Sequence, residues 1–225
     1  MIEQSQDNKF NEAAYQKMPE GAFDDIGSLP VGIKVPVDVF LALEILEFTP
    51  KSCLEMGAGT GRVIEALIAR VHPTPQIYAV ERIEHFAQDL RKKFLHQPEV
   101  SIIQNDILLE DLPEVEVAFW MFAGMSEFTL AQQRLMVSRI SETTSKALVV
   151  DFPELDANMD EVIGAARIGV NVFEKELPYG EKLYLHIPTF ADMQEMQANS
   201  QFNSLEFINY NSTTDRKRRQ YILRK

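Results

Sequence analysis

Cys53-Leu54-Glu55-Met56-Gly57-Ala58-Gly59-Thr60-Gly61-Arg62 is the stretch on which the reading of this 225-residue chain turns. Three glycines stand at alternate positions behind an apolar lead-in. Val63 to Val71 follows, with Ile64, Leu67, Ile68 and Val71 at helical spacing. The order is strand, glycine loop, helix. Glycines at such a turn leave no Cβ between backbone and ligand, and the helix behind them opens with unpaired amides. A turn of this kind suits a ligand carrying an anionic group, phosphate or carboxylate.

The spacing separates two ligands. A dinucleotide turn, G-x-G-x-x-G, would need glycine at position 62, where Arg62 stands. The third glycine comes one residue early, and Glu55 precedes the first by two. The resulting E-x-G-x-G-x-G resembles the first motif of class I S-adenosylmethionine-dependent methyltransferases. That resemblance implies a loop (Gly57, Ala58, Gly59, Gly61) folded around the methionine part of the cofactor, with Glu55 near its ammonium end.

Downstream, Gln76 to Glu81 reads as a second strand ending in an acid, after the break His72-Pro73-Thr74-Pro75. Two such strands joined by a helix form the unit of a doubly wound sheet. Glu81 can accept bonds from two ribose hydroxyls, and Arg82 beside it joins the cofactor set. An acid here also occurs in dehydrogenases, so it indicates a nucleoside without choosing the cofactor. A helix from about Glu84 to Leu95 and a strand Val100–Gln104 follow. By the same resemblance Asp106 faces the adenine amine and Ile107 walls the ring.

The fourth strand, Val115 to Phe122, ends where the resemblance places the transferable methyl, and Phe122 can line the sulfonium by a cation–π contact. The Asn/Asp-Pro-Pro-Tyr/Phe signature of adenine and glutamine amino-methyltransferases is absent, which disfavours those acceptors. A helix from Thr129 to Thr143 and a fifth strand, Ala147 to Phe152, complete the first half of the sheet. From about 154 to 188 the chain departs from the minimal fold. Asp160–Gly169 reads as a short helix, then Val172–Leu177 and Lys182–Ile187 as a hairpin. That insertion is expected to cover the site and select the substrate. Thr189 opens a helix to about Asn199, and Leu205–Tyr210 with Gln220–Leu223 form a last hairpin.

The predicted fold is therefore α/β: a doubly wound, mostly parallel seven-stranded sheet with an antiparallel last strand. Residues 1–36 form an N-terminal segment and a lid candidate; 37–225 form the methyltransferase domain. Residues 1 to about 18 are polar and read as a mobile tail anchored by Phe10 and Tyr15. Tyr15 and Phe23 are lid aromatics or surface staples.

Composition bounds the partners. A formal charge of −12 argues against broad binding to nucleic acid or anionic membrane. The basic end, Arg216 to Arg219 with Arg224 and Lys225, reads as protection of a solvated sheet edge. A lone cysteine excludes an intramolecular disulfide, and four scattered histidines offer no metal-ligand spacing. The polar N-terminus carries no signal peptide and no apolar run spans a bilayer, so a cytoplasmic location is expected.

Methyl transfer from a sulfonium is an in-line displacement in which orientation carries much of the rate. S-adenosylmethionine is the expected cofactor and S-adenosylhomocysteine the product, with a small-molecule acceptor. Asp151, Tyr184 and His186, with Glu154, are the proton-acceptor candidates. Alternatives are a protein or RNA methyltransferase, and a non-catalytic binding protein of the same fold. An aminopropyltransferase and a dehydrogenase rank below these.

Overall fold

The computed structural model describes residues 5–18, 37–108, 111–122, 124–155, 165–177, 179–211 and 217–225. Two helices lead, α1 (Gln6–Gln16) and α2 (Val37–Leu46). Alternating strands and helices follow: β1 (Ser52–Met56), α3 (Arg62–Arg70), β2 (Gln76–Glu81), α4 (Glu84–Lys93), β3 (Val100–Gln104), β4 (Val115–Trp120), α5 (Leu130–Thr143) and β5 (Thr144–Pro153). Then come β6 (Ala166–Gly169), β7 (Val172–Glu176), β8 (Lys182–His186), α6 (Phe190–Ala198), β9 (Ser204–Asn211) and β10 (Lys217–Arg224).

Seven strands form one sheet in the order β3-β2-β1-β4-β5-β10-β9. β1 to β5 pair in parallel, and β10 inserts antiparallel between β5 and β9. Residues along the central strands are buried on both faces, as their near-continuous apolar runs require. Cys53, Ile77, Val117, Phe119 and Val149 meet α2, α3 and α4, while Leu54, Trp120, Leu148 and Val150 meet α5 and α6. The result is a three-layer sandwich whose parallel strands all end on one edge. That edge carries the glycine loop, which is tied to β2 by the amides of Gly57 and Ala58 donating to the Val80 carbonyl (2.9 and 3.1 Å).

A second sheet, β6-β7-β8, is antiparallel and is the inserted element. Its hairpin matches the predicted one, but of the span expected as a helix, Asp160–Gly169, residues Ala166–Gly169 are strand β6 instead, and 160–164 lie outside the described residues. Ile168, Val170 and Val172 alternate with Gly169 and Asn171, a period of two, and Asn171 takes the positive φ (57°) that the turn needs.

The N-terminal stretch is also corrected. It is helical from Gln6 because Ser5 and Asn8 form a reciprocal capping box. Its buried face is Asn8, Asn11 and Ala14, one residue per turn. Asn11 donates to the Tyr184 carbonyl (2.8 Å) and accepts from the Tyr184 amide (2.7 Å), so a polar side chain docks the helix on β8. Hydropathy does not register such a face. Phe23 lies outside the described residues.

The basic terminal strand is not a solvated edge either. β9 is the edge and β10 is interior. Arg218 is buried against Asp151, Arg219 pairs with Glu154, and Arg224 pairs with Glu206; Arg216 lies outside the described residues.

Candidate functional site

At the carboxyl edge of β1, β2 and β4 lies a cavity whose empty volume, its solvent-open mouth included, is about 1170 Å³. Its wall includes Glu55, Gly57, Ala58, Gly59, Glu81, Arg82, Ile107 and Phe122 from the predicted set. Residues scattered from 55 to 122 converge because parallel strands place their carboxyl ends together.

Each acid has a distinct environment. Glu55 is buried, and its Oε2 has no hydrogen-bond partner in the protein. Burial pushes its carboxyl up to about 8, against the pull of the Arg62 guanidinium. Arg62 itself is held by Asp38 in a bidentate pair (2.5 and 2.7 Å). Glu81 accepts from the Gly59 amide and the Ile83 amide, both at 2.8 Å. Burial raises it as well, with those amides opposing.

The glycines divide by task. A Cβ on Gly57 or Gly59, both at positive φ, would meet nothing within 4 Å and would project into open space. A Cβ on Gly61 would lie 2.6 Å from Phe94 and 2.8 Å from Leu90 of α4. Gly61 therefore lets α3 and α4 approach, and it is absent from the cavity wall. Asp106 is absent from it too: its Oδ1 accepts from the Leu108 amide (2.9 Å), while its neighbours Asn105 and Ile107 face the space.

The four proton-acceptor candidates do not meet at the cavity. Asp151 is fully buried beneath Phe122, accepting from its amide, from the Tyr210 hydroxyl (2.7 Å) and from Arg218 Nε (2.6 Å). Burial alone would raise its carboxyl, but Arg218 and Tyr210 overcome that and hold it below the ordinary range. A carboxylate so held is a poor base. Its effect is to fix Phe122 at a positive φ of 57°, with the ring between Arg62 and Arg218 at 5.2 and 5.0 Å. His186 binds Asp7 (2.8 Å), and Tyr184 faces Phe10; α1 has taken both. Glu154 is taken by Arg219.

Sequence reading overlooked Glu127, in the 3₁₀ turn Gly124–Glu127 after β4. Its Oε1 accepts from the Tyr15 hydroxyl of α1 (2.6 Å), and its Oε2 from Arg82 Nη2 (3.1 Å). Burial raises its carboxyl, with Arg82 and Tyr15 opposing. All three residues line the cavity. The available signal was a single acid in the otherwise uncharged run from Met121 to Phe128.

Comparison with known proteins bears on the family and the fold. Residues 39–165, more than half of the chain, match the model of the family described as ribosomal RNA adenine dimethylase. A 62-residue stretch is 32% identical to the ornithine lipid N-methyltransferase of Singulisphaera acidiphila, covering 28% of this chain and 31% of that protein. The chain thus matches under a third of that relative's length. Among solved structures, the 1,6-didemethyltoxoflavin-N1-methyltransferase of Burkholderia thailandensis, bound to 1,6-didemethyltoxoflavin and S-adenosylhomocysteine, superposes with a TM-score of 0.71 at 10% identity, over 100% of this chain and 91% of that one. Magnesium protoporphyrin IX methyltransferase from Synechocystis PCC 6803 with bound S-adenosylmethionine gives 0.65 at 10% identity, over the whole of both chains. At such identities the structures speak for the fold, and the family match carries the rest: the chain belongs to the ribosomal RNA adenine dimethylase family and is an S-adenosylmethionine-dependent methyltransferase.

Proposed function

We propose that this methyltransferase acts on a small molecule, enclosed between the glycine-loop edge and α1, which is itself docked on the β6-β7-β8 sheet. The observation that carries this reading is the docking of α1. Asn8 and Asn11 donate to the Glu127 carbonyl (2.8 and 3.2 Å), Asn11 brackets Tyr184, and Tyr15 reaches the cavity to bond Glu127. A cover fastened at so many points favours a small acceptor over a folded RNA. The charge distribution supports the same choice. Arg218, Arg219 and Arg224 are spent on acids of the protein, so three cations of the terminal cluster are not free to bind phosphates. The fourth strand is followed by Met121-Phe122, without the prolines that hold a planar amine.

In this reading the cofactor supplies an activated methyl on sulfur. Glu55, through its unpartnered Oε2, takes the ammonium, and Gly57 and Gly59 leave room for the amino-acid end. Glu81, steadied by two amides, takes the ribose hydroxyls, and Ile107 walls the adenine. Asp151 sets Phe122 from beneath and takes no proton. The setting is the cytoplasm; no helix among the described residues is long and apolar enough to cross a membrane.

The test is methyl transfer from tritiated S-adenosylmethionine into three fractions of one cell extract: low-mass solutes, lipids and total RNA. Label is expected in the low-mass fraction, and label confined to RNA would overturn the proposal.

A further inference from the structure

We propose that Glu127 is the acceptor-binding carboxylate and that the acceptor is a basic amine, received as its ammonium in a subsite closed by Tyr15. This rests on the methyltransferase reading of the cavity and deepens it. Glu127 enters from the turn that directly follows the carboxyl end of β4, and its carboxylate faces the same space as the cofactor acids. The groups around it are Tyr15 from α1, Arg82 after β2, and Glu81 at the end of β2, near enough to act on it electrostatically. Two bonded partners leave it capacity, since a carboxylate offers about four lone-pair sites.

Charge selects the ligand. The cavity wall carries three carboxylates, Glu55, Glu81 and Glu127, against two guanidiniums, Arg62 and Arg82. Arg62 is already neutralised by Asp38. A cofactor with a sulfonium, an ammonium and one carboxylate is a monocation, so the wall still holds excess negative charge for a second cation. An anionic acceptor would meet Glu81 and Glu127 in a poorly solvated space, which is unfavourable.

The step balances with the groups present. An ammonium at Glu127 gives its proton to the carboxylate, whose burial favours the neutral acid. The freed lone pair forms the N–C bond as the C–S bond breaks, and that electron pair leaves with sulfur as a thioether. The methylated nitrogen carries the positive charge, and Glu127 returns its proton to water.

The test needs no acceptor. Sinefungin carries an amine-bearing carbon where the cofactor has its methylsulfonium, so its ammonium occupies the reacting position. Calorimetric titration should show sinefungin binding at least tenfold tighter than S-adenosylhomocysteine to the native protein. In Glu127→Gln that preference should fall below threefold, with S-adenosylhomocysteine affinity changed by less than threefold, which also reports that the variant is folded. Glu127→Asp, which withdraws the carboxylate by one methylene, should give an intermediate preference and serves if the Gln variant is unstable. An unchanged preference in the variants, or none in the native protein, would overturn the proposal while leaving the cofactor reading intact. Failure of the folded native protein to bind either ligand would overturn both.

Discussion

Glu55 shows how one buried atom couples cofactor and stability. Its Oε2 lacks a partner, and burial lifts the carboxyl from its ordinary 4.5 to about 8. In the free protein near neutrality it is therefore largely protonated, and a cationic ammonium draws it into the ionised form. Glu55→Gln should weaken S-adenosylmethionine binding by about tenfold or more, since a charge-assisted bond is lost. The same variant should melt higher than the native protein at pH 8 without ligand, because no carboxylate remains to be ionised in a buried site. Titration calorimetry and a thermal melt check the two halves. The motif glycines give a second contrast. Gly59→Ala should reduce cofactor affinity and change folding little beyond the strain of its positive φ. Gly61→Ala, with Phe94 and Leu90 in the way, should cost about 1–3 kcal/mol of stability in urea denaturation.

Elements are joined here by polar bonds as much as by apolar faces. β5 and β10 share a ladder, and Asp151 and Arg218, two registers apart on it, close a buried ion pair that reaches Tyr210 on β9. Removing one member leaves a buried charge uncompensated. Arg218→Met should destabilise by about 3–5 kcal/mol, and the Asp151→Asn, Arg218→Met double variant should recover much of that. Equal destabilisation of the single and double variants in urea titrations would show that packing, not charge, carries the strand pair. β10 illustrates why a basic hairpin misleads. Four cations in a row look like edge protection, yet side chains alternate across a strand. Arg218 turns inward to an acid that only the fold supplies. α1 misleads in the opposite way, because Asn8 and Asn11 are polar in sequence and buried in fact.

Across the whole molecule the perturbed acids set a stability profile with two flanks. Glu55, Glu81 and Glu127 are all raised on folding, so their contribution is fully present below about 4.5 and is lost as pH rises, for Glu55 through about 8. Asp151 is lowered, so its contribution is present above its ordinary 3.8 and is lost as pH falls further. The free protein should be most stable in mild acid, and its melting temperature should decline from about pH 5 to pH 8. Saturating S-adenosylmethionine should flatten part of that decline, since in this reading its binding needs Glu55 and Glu81 ionised. Melting curves across this range, with and without cofactor, decide it; a slope that the cofactor leaves unchanged would remove these acids from its site.

The central sheet was legible because its signals are local: apolar runs of strand length, glycines at alternate positions, caps such as Thr189 with Asp192. Glu55, Glu81 and Ile107, named from the resemblance, line one cavity because strand ends in this topology converge whatever the side chains elsewhere do. Three things required the tertiary structure. Asp151 was a base candidate by position, and burial against Arg218 made it a support for Phe122 instead. Tyr184 and His186 shared a strand face, but α1 covers that face through Asn11 and Asp7. Glu127 drew no attention as one acid in an apolar run, until Tyr15 and Arg82, 112 and 45 residues away in sequence, were brought to it. Local periodicity is written along the chain. The partner that decides whether a polar group is a base, a brace or a binding site arrives from a distant segment, and only folding brings it there.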